Sequence, residues 1–258
     1  MNMKLSNKLL LWTLALLLIL LWASAISAKK MYDQIIYSGG EVGNKYMAKK
    51  SAAFQYIKID CQAGEQQDKG VFVKNTQQWW PKVTIEHGKS FEVLLMKTTQ
   101  ESCQFMLRND TLFVVLKKPV LENEFKNTTD MMTIKVPEQS LKGIELVGTT
   151  MNVEIHGLRN SGNFAVVSNS INALISTSIN YSVFEQLSLL GIGQGGFEVE
   201  NQAKIQQLAV ELRGRAYFSA KELSIGGAFL CKADSASSLH ISGQLMKKLS
   251  PYPQPFPQ

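Results

Sequence analysis

Four glutamates and two arginines in the second half of the chain are residue types that could cleave a polysaccharide. Glycoside hydrolysis requires two carboxylates that flank one bond, about 5–10 Å apart. On alternating parity these side chains face outward from predicted strands and could form a polar groove: Glu154, Glu198, Glu200, Glu211, Arg213 and Arg215. Outward Glu and Arg are also what a solvated strand face requires, so the sequence favours a polar surface and predicts no enzymatic activity.

Other catalytic and metal-binding patterns are missing from the sequence. His87, His156 and His240 are far apart and lie in or next to predicted strands, which favours surface histidines over a shared metal site. The sequence contains no G-x-S-x-G motif, and its cysteines have no recognisable His partner. Gly191–Gly196 imitates a phosphate-binding loop, but no predicted helix follows it, so we interpret it as a corner between strands. We predict no metal and no cofactor.

The three cysteines show no CxxC and no metal-ligand spacing. Cys231 falls on the apolar parity of its predicted strand, which is typical of a small buried residue. Cys61 and Cys103 lie at predicted strand edges and could form a disulfide in an oxidising compartment. Free thiols are the alternative for this pair.

The chain has 258 residues and a formal net charge of +6, with 45% hydrophobic and 19% charged residues. This composition is typical of a folded protein, and the length allows one large β domain or two small ones. The positive excess is small, and the lysines do not gather into a stripe with interleaved aromatic residues. We therefore predict no nucleic-acid partner.

An uncharged run from Leu9 to Ala28 is long enough to cross a membrane. As a helix of about 20 residues it reaches about 30 Å, the thickness of a bilayer core. Trp12 and Trp22 flank its most apolar part, where aromatic rings suit the membrane interface. The sequence therefore predicts an N-terminal transmembrane or signal helix.

A retained anchor and a cleaved signal peptide are both open for this run. Residues 23–25 (Ala-Ser-Ala) suit a signal-peptide cleavage site, whereas the continuation of the uncharged run to Ala28 favours an anchor. Lys4 and Lys8 precede the run, which predicts a cytoplasmic N-terminus and an exported body. The expected location is the inner membrane facing the periplasm, with secretion or the cell surface as the alternative.

A short alternating phrase recurs through the second half of the chain and organises it. Each copy alternates an apolar residue with a small or polar one and ends at Gly or Ser, which predicts a strand with one buried face and a turn. The apolar anchors are 20, 23, 21, 15 and 16 residues apart, which favours a solenoid because no repeat buries its apolar face alone. The anchors are Leu146, Val166, Leu189, Val210, Ile225 and Ile241.

These patterns divide the chain into five segments. Residues 1–28 form the anchor or signal, 29–53 a linker, 54–131 an N-terminal β part, 132–248 the repetitive part, and 249–258 a Pro-rich tail. Within the N-terminal β part, we predict a strand at Gly70–Val73 and a Trp pair, Trp79 and Trp80, that covers one end of the core. The predicted fold is an all-β stack of short strands.

Several phrases resemble one known family. Thr133–Pro137, Leu141–Gly148 and the serial Leu-x-Val/Ile-x-Gly/Ser strands are similar to the auto-transporter adhesin head (GIN) domain family, and Asn109–Val114 resembles its N-terminal half. The resemblance covers about Phe54 to Gly243. It implies a right-handed β-solenoid-like fold on an exported bacterial envelope protein, with no established catalytic residues. The chain departs from the family pattern in its fewer Gly and Ser at strand ends and its long repeat at Glu185–Glu200.

Taken together, these features predict a non-catalytic, exported and membrane-tethered envelope module for adhesion or partner binding. The expected partner, besides the membrane itself, is a surface glycan or another envelope protein. A polysaccharide-acting β-solenoid enzyme that uses the outward Glu and Arg is the alternative function. A purely structural spacer is a third.

Overall fold

The structure is a computed structural model that describes residues 46–62, 81–117, 130–200, 202–220 and 224–251. By residue contacts the chain forms two compact units, Met1–Met47 and Ala48–Gln258, and the described residues belong almost entirely to the second. The predicted membrane helix Leu9–Ala28, the predicted strand Gly70–Val73 and the pair Trp79–Trp80 lie outside the described residues. Among the residues that are described, no helix is long and apolar enough to span a membrane.

Strands make up nearly all of the regular structure in the described residues, which confirms the predicted all-β class. Two short helical turns interrupt them, a 3-10 helix at Lys97–Ser102 and α1 at Gly243–Met246. The strands are β1 (Tyr46–Lys50), β2 (Tyr56–Cys61), β3 (Lys82–His87), β4 (Glu92–Met96), β5 (Cys103–Arg108), β6 (Thr111–Leu116), β7 (Asp130–Val136), β8 (Gly143–Gly148), β9 (Met151–His156), β10 (Arg159–Asn180), β11 (Val183–Val199), β12 (Lys204–Gly214), β13 (Tyr217–Ala220), β14 (Ser224–Ile225), β15 (Phe229–Ala233), β16 (Ser238–Ile241) and β17 (Leu249–Pro251).

Apart from β14, the strands after β1 stack into two long columns of hydrogen-bonded neighbours. The first column runs β5-β6-β2-β8-β10-β11-β12-β15-β17. The second column runs β4-β7-β3-β9-β10-β11-β13-β16. These pairings are parallel except β5–β6 and β4–β7, which are antiparallel. Because β10 and β11 pass through both columns, one coil of chain supplies a strand to each.

A third, narrower column is formed by the first residues of β10, β11 and β12 together with β14. Arg159 pairs with Val183, Val183 with Lys204, and Lys204 with Ser224. In each of the longer coils the chain therefore passes from the third column through the first to the second. The predicted corner Gly191–Gly196 lies inside β11, at the bend between its first-column and second-column parts.

The coils are not stacked in chain order. β2 lies between β6 and β8 in the first column, and β3 lies between β7 and β9 in the second. The first coil, made of β2 and β3, is thus inserted between the coil of β6 and β7 and the coil of β8 and β9. We call these the first, second and third coils. From β8 onward the stacking order follows the chain. The sequence pattern did not predict this insertion, because strands with the same alternating parity fit any neighbour in the stack.

The core is built from ladders of inward-facing side chains that repeat once per coil. Ile144, Val166, Leu189 and Val210 are register neighbours along the first column, and all four are at most 3% exposed. Val166, Leu189 and Val210 had been predicted as successive anchors, and the register confirms those two steps. The predicted step from Leu146 to Val166 is wrong by two residues, because Val166 pairs with Ile144 and Leu146 pairs with Ser168. The shorter steps predicted toward Ile225 and Ile241 are also wrong, because these residues belong to the third and second columns. The next coil instead continues the ladder with Cys231.

Replacing Thr177 with valine is expected to stabilise the fold by about 1 kcal/mol or slightly more, because a buried hydroxyl without a partner costs about 1–3 kcal/mol. Thr177 is fully buried, its hydroxyl has no hydrogen-bond partner, and its register neighbours Val153 and Phe197 are both apolar. Urea unfolding followed by far-UV circular dichroism measures the change. Thr84→Val, on an outward position of β3, is the control and should change stability by less than about 0.5 kcal/mol. A less stable Thr177→Val protein would contradict an unsatisfied hydroxyl.

Candidate functional site

The carboxylates that the sequence grouped into a groove are divided between two faces. Glu154 and Glu198 lie on the outward side of the second column, separated in register by Ser178, which places their Cα atoms about 10 Å apart. Glu200 follows β11 and is exposed. Glu211 belongs to the first-column part of β12. The structure therefore places Glu154 and Glu198 on one face and Glu211 on another, so the four carboxylates do not form one cluster.

Glu154 and Glu211 are both held by basic side chains. Glu154 accepts a contact from Lys82 Nζ at 2.9 Å and a hydrogen bond from Asn180 at 3.3 Å, and the Lys82 interaction holds its pKa below the usual value. Glu211 is 1% exposed, and its Oε1 lies 2.7 Å from Arg213 Nη2 and 3.3 Å from Lys232 Nζ. A glycosidase acid needs a carboxyl with a raised pKa, and the pKa of Glu154 moves the other way. These contacts indicate structural ion pairs.

The remaining members of the predicted set are also separate. Arg213 is half-exposed beside Glu211, while Arg215 lies after the end of β12 and is exposed. Glu211 was expected to face solvent, yet its side chain is buried although its parity is outward. Its register neighbours on that outer side are Leu190 and Lys232. The expectation of a solvated Glu211 is wrong. Its carboxylate is in contact with the outward side chains of Arg213 and Lys232.

None of the three cysteines forms a disulfide in the structure. Leu116 of β6 pairs with both Cys61 and Cys103, so these two lie two strand spacings apart, about 10 Å. A disulfide requires Cα atoms about 4.4–6.8 Å apart. The pairing of Cys61 with Cys103 considered from the sequence is therefore not formed. Burial raises the pKa of Cys103 to about 11, so this thiol stays protonated at neutral pH.

Within the described ranges, no group of three or more His, Cys, Asp or Glu side chains is placed to hold a metal ion. His87 and His240 are exposed, and His156 is partly exposed with Nδ1 3.8 Å from Glu154. The His156 ring packs against the exposed Tyr181 ring, with centroids 5.1 Å apart. His156 and His240 thus occupy outward positions on their strands, whereas His87 is exposed at the end of β3.

A groove of about 710 Å³ lies on the outer side of the third column. Arg159, Val183 and Lys204 are register neighbours and form one row of outward side chains along it. Two residues further along their strands, Glu185 and Gln206 form the opposite row. Inward-facing side chains lie between the two rows and close the floor. They are Phe184 and Ile205, each 1% exposed.

The polar groups of this groove are largely unpaired. The side chains of Lys204, Glu185 and Gln206 make no hydrogen bond or ion pair with any described residue. Arg159 has one weak partner, Glu138, at 3.5 Å, and both are exposed to solvent. Such groups can exchange water for the hydroxyls, amides or charges of a ligand at little cost, whereas the Glu211 cluster is already neutralised.

Hydrogen bonds hold Asn160 in place at the rim of the groove. Asn160 donates a hydrogen bond from Nδ2 to the carbonyl oxygen of Leu141 at 2.6 Å, and its Oδ1 accepts one from the Gly162 N–H at 2.7 Å. The Gln206 side chain lies over Gly226, where a Cβ atom would collide with it. Arg159, Lys204 and Gln206 do not stand out in the sequence pattern of their single strands. What relates Arg159 to Lys204 is a separation by whole coils, and this can be recognised only when the register of the strands is known.

The fold and this groove define a class of protein. It is an all-β stack of mostly parallel coils with a groove along the outer side of its third column. No family model matches the chain, and no curated protein matches it. Among solved structures, a candidate adhesin from Bacteroides fragilis is similar, with 12% identity, a TM-score of 0.42 and coverage of 80% of this chain and 94% of the other.

Two further solved structures show weaker similarity. A candidate adhesin from Parabacteroides merdae has 11% identity and a TM-score of 0.28, and covers 80% of this chain and 95% of its own. A candidate lipid-binding protein from Parabacteroides distasonis has 11% identity and a TM-score of 0.23, with 81% and 97% coverage. At these identities and scores, the relation to the GIN domain family remains a resemblance.

Proposed function

We propose that this chain is an exported, membrane-tethered and non-catalytic envelope module that binds an extended polar partner through the groove of the third column. The observation that carries the proposal is the set of unpaired Lys204, Glu185 and Gln206 side chains above a buried floor. A concave site with a few convergent polar groups is the usual form of a ligand site. The carboxylates considered for an enzyme do not lie in this groove, since Glu154 and Glu198 belong to the second column and Glu211 to the first.

The groove dimensions indicate what kind of partner fits. Its register spans four strands, from Arg159 on β10 to Ser224 on β14, which corresponds to about 14 Å. One row carries the positive charges of Arg159 and Lys204, and the other carries the negative charge of Glu185 and the amide of Gln206. A partner rich in both donors and acceptors suits these rows. A surface glycan or an extended segment of an envelope protein has this character.

Removing the groove charges is expected to weaken partner binding at least tenfold. Lys204→Ala with Glu185→Ala changes no net charge and touches only exposed side chains. A glycan array probed with the full chain in detergent, followed by titration of any hit or of a crosslinked envelope protein, measures the loss. Several direct polar contacts of about 0.5–1.5 kcal/mol each account for a tenfold change.

The matched control is the double variant Lys58→Ala with Glu145→Ala. This pair also carries opposite charges on outward positions, but it lies on the first column and is already joined at 2.8 Å. Binding should be unchanged in the control. Equal loss in both double variants, or in neither, would contradict a binding role for the groove. Cleavage of an arrayed glycan that is lost in Glu198→Gln would support the polysaccharide-acting enzyme instead.

The cellular location is the second part of the proposal. The uncharged run Leu9–Ala28, with Lys4 and Lys8 before it, supports an uncleaved anchor with the body facing the periplasm. Mass spectrometry of the mature N-terminus tests this location. A terminus at Ile26 or Lys29 would rule out the anchor and favour secretion. Right-handed winding of the coils and membership of the GIN domain family belong to the same proposal, on the strength of phrases such as Leu141–Gly148.

A further inference from the structure

A second surface, on the outer side of the second column, carries an aromatic ring that lies flat on the sheet. Ser176, Gly196 and Tyr217 are register neighbours on β10, β11 and β13. A Cβ atom at Gly196 would collide with three ring atoms of Tyr217, so the ring rests directly on the glycine backbone. Glycine in a strand often marks such a close approach, and an aromatic neighbour compensates for its missing side chain.

Two hydrogen bonds fix the orientation of the ring. The Tyr217 hydroxyl lies 3.1 Å from the Ser176 hydroxyl and donates to Glu198 Oε1 at 3.3 Å. One ring face is covered by Gly196 and the residue is half-buried, which leaves the opposite face toward solvent. The hydroxyl contacts and the contact with Gly196 therefore restrict rotation of the ring, and its other face is available to a ligand.

The side chains around the ring are small, polar and mostly uncharged. Ser178, Glu198, Ser219 and His240 form one row in register beside it, and Ser238 is the next neighbour of Tyr217 itself. Glu198 is exposed and is the charged group nearest the ring hydroxyl. The described lysines of this face are already neutralised. Lys82 pairs with Glu154 and Lys135 pairs with Glu86.

We infer that the Tyr217 ring and the Glu198 carboxylate form a binding platform for a neutral hexopyranose unit of a glycan. The electron-rich face of an aromatic ring attracts the weakly positive C–H groups on one side of a pyranose. A carboxylate beside the ring accepts charge-assisted hydrogen bonds from sugar hydroxyls. The serines of the adjacent row supply small hydroxyl partners without blocking access. An anionic sugar would meet the charge of Glu198, and among the described residues of this face no unpaired lysine offsets that charge.

The test is saturation-transfer NMR on the full chain in detergent with methyl β-D-glucopyranoside and cellotetraose. Saturation should be strongest on the axial C–H protons that stack on the ring. Tyr217→Ala should abolish the transfer. Tyr217→Phe keeps the ring and should lose no more than about tenfold, because only the hydroxyl contacts with Ser176 and Glu198 are removed. Glucuronate should give clearly less transfer than glucose. Transfer that persists in Tyr217→Ala, or equal transfer to glucuronate, would overturn the platform.

Further variants keep the test independent of folding and of the groove. Ser238→Lys, at an exposed position beside the ring, should block the sugar even if Tyr217→Ala does not fold. Gly196→Ala should displace the ring from the sheet and reduce the transfer. Lys58→Ala with Glu145→Ala, on the first column and outside both proposed sites, should leave the transfer unchanged. Groove binding is measured separately with the Lys204→Ala and Glu185→Ala double variant, so the failure of either proposed site is distinguishable from the failure of the other. Transfer that survives Ser238→Lys and Gly196→Ala would also overturn the platform.

Discussion

Replacing Gly148 with alanine is expected to lower the free energy of unfolding by about 3 kcal/mol or more. Gly148 has a φ of +109°, where L side chains are strained by about 1–3 kcal/mol. A Cβ atom there would also collide with the backbone carbonyl of Cys61, and overpacking of this kind costs about 1–3 kcal/mol. Urea unfolding of the full chain in detergent, followed by far-UV circular dichroism, measures the loss.

Two other glycines separate strain from collision. Gly157 has a φ of +64° but no heavy atom within 4 Å of an added Cβ, so Gly157→Ala should cost only about 1–2 kcal/mol. Gly162 has no such positive φ, and an added Cβ there would make only ordinary contact with Asn160 at 3.5 Å. Gly162→Ala should therefore change stability by less than about 0.5 kcal/mol. Any other order of the three variants would contradict the argument.

Gly148 is critical because of where it lies in the stack. It pairs with Cys61 across β2 and β8, the junction at which the first coil is inserted next to the third. The Cys61 carbonyl accepts hydrogen bonds from Thr149, from its N–H at 2.8 Å and from its hydroxyl at 3.0 Å. Displacing this carbonyl would break both. The loss of stability would therefore arise at the pairing of β2 with β8, which joins the inserted first coil to the coils that follow.

Part of the fold follows from the sequence because a strand has only two faces. Alternation alone placed Val166, Leu189 and Val210 inward and Glu154 and Glu198 outward, as the structure has them. The two-residue parity contains no information about which column a strand enters. Residues that share a parity were therefore grouped into one groove although they lie on different faces.

The two proposed surfaces depend on register, which single-strand patterns do not contain. Arg159 and Lys204 lie in one row because consecutive coils differ in length by only a few residues. Gly196 and Tyr217 meet for the same reason, one coil apart. A glycine pair within a strand, Gly195–Gly196, followed one coil later by an aromatic residue was the available signal. This signal can be recognised once the coil length is known to be 21–23 residues, as the pairings of Leu189 with Val166 and with Val210 show.

Truncating Phe184 to alanine is expected to cost about 3–5 kcal/mol, as for other fully buried phenylalanines. Phe184 is 1% exposed, and its ring stacks on Phe164 with centroids 4.9 Å apart and an interplanar angle of 20°. Phe164 begins the first-column part of β10, so the ring pair joins the first and third columns. Urea unfolding measures the loss, and Met246→Ala, an equally apolar truncation at a residue 62% exposed, should change stability by less than about 0.5 kcal/mol.

A double-mutant cycle isolates the contact between the two rings. Phe164→Ala alone should cost about as much as Phe184→Ala, but the double variant should cost about 0.5–1.5 kcal/mol less than the sum, the usual coupling of an aromatic pair. Strict additivity would show that the rings stabilise their columns separately. Coupling would show that the third column is held to the first by this pair. Because Phe184 also forms the groove floor, the same substitution should weaken groove binding under conditions where the variant is still folded, while sugar transfer at Tyr217 is unchanged.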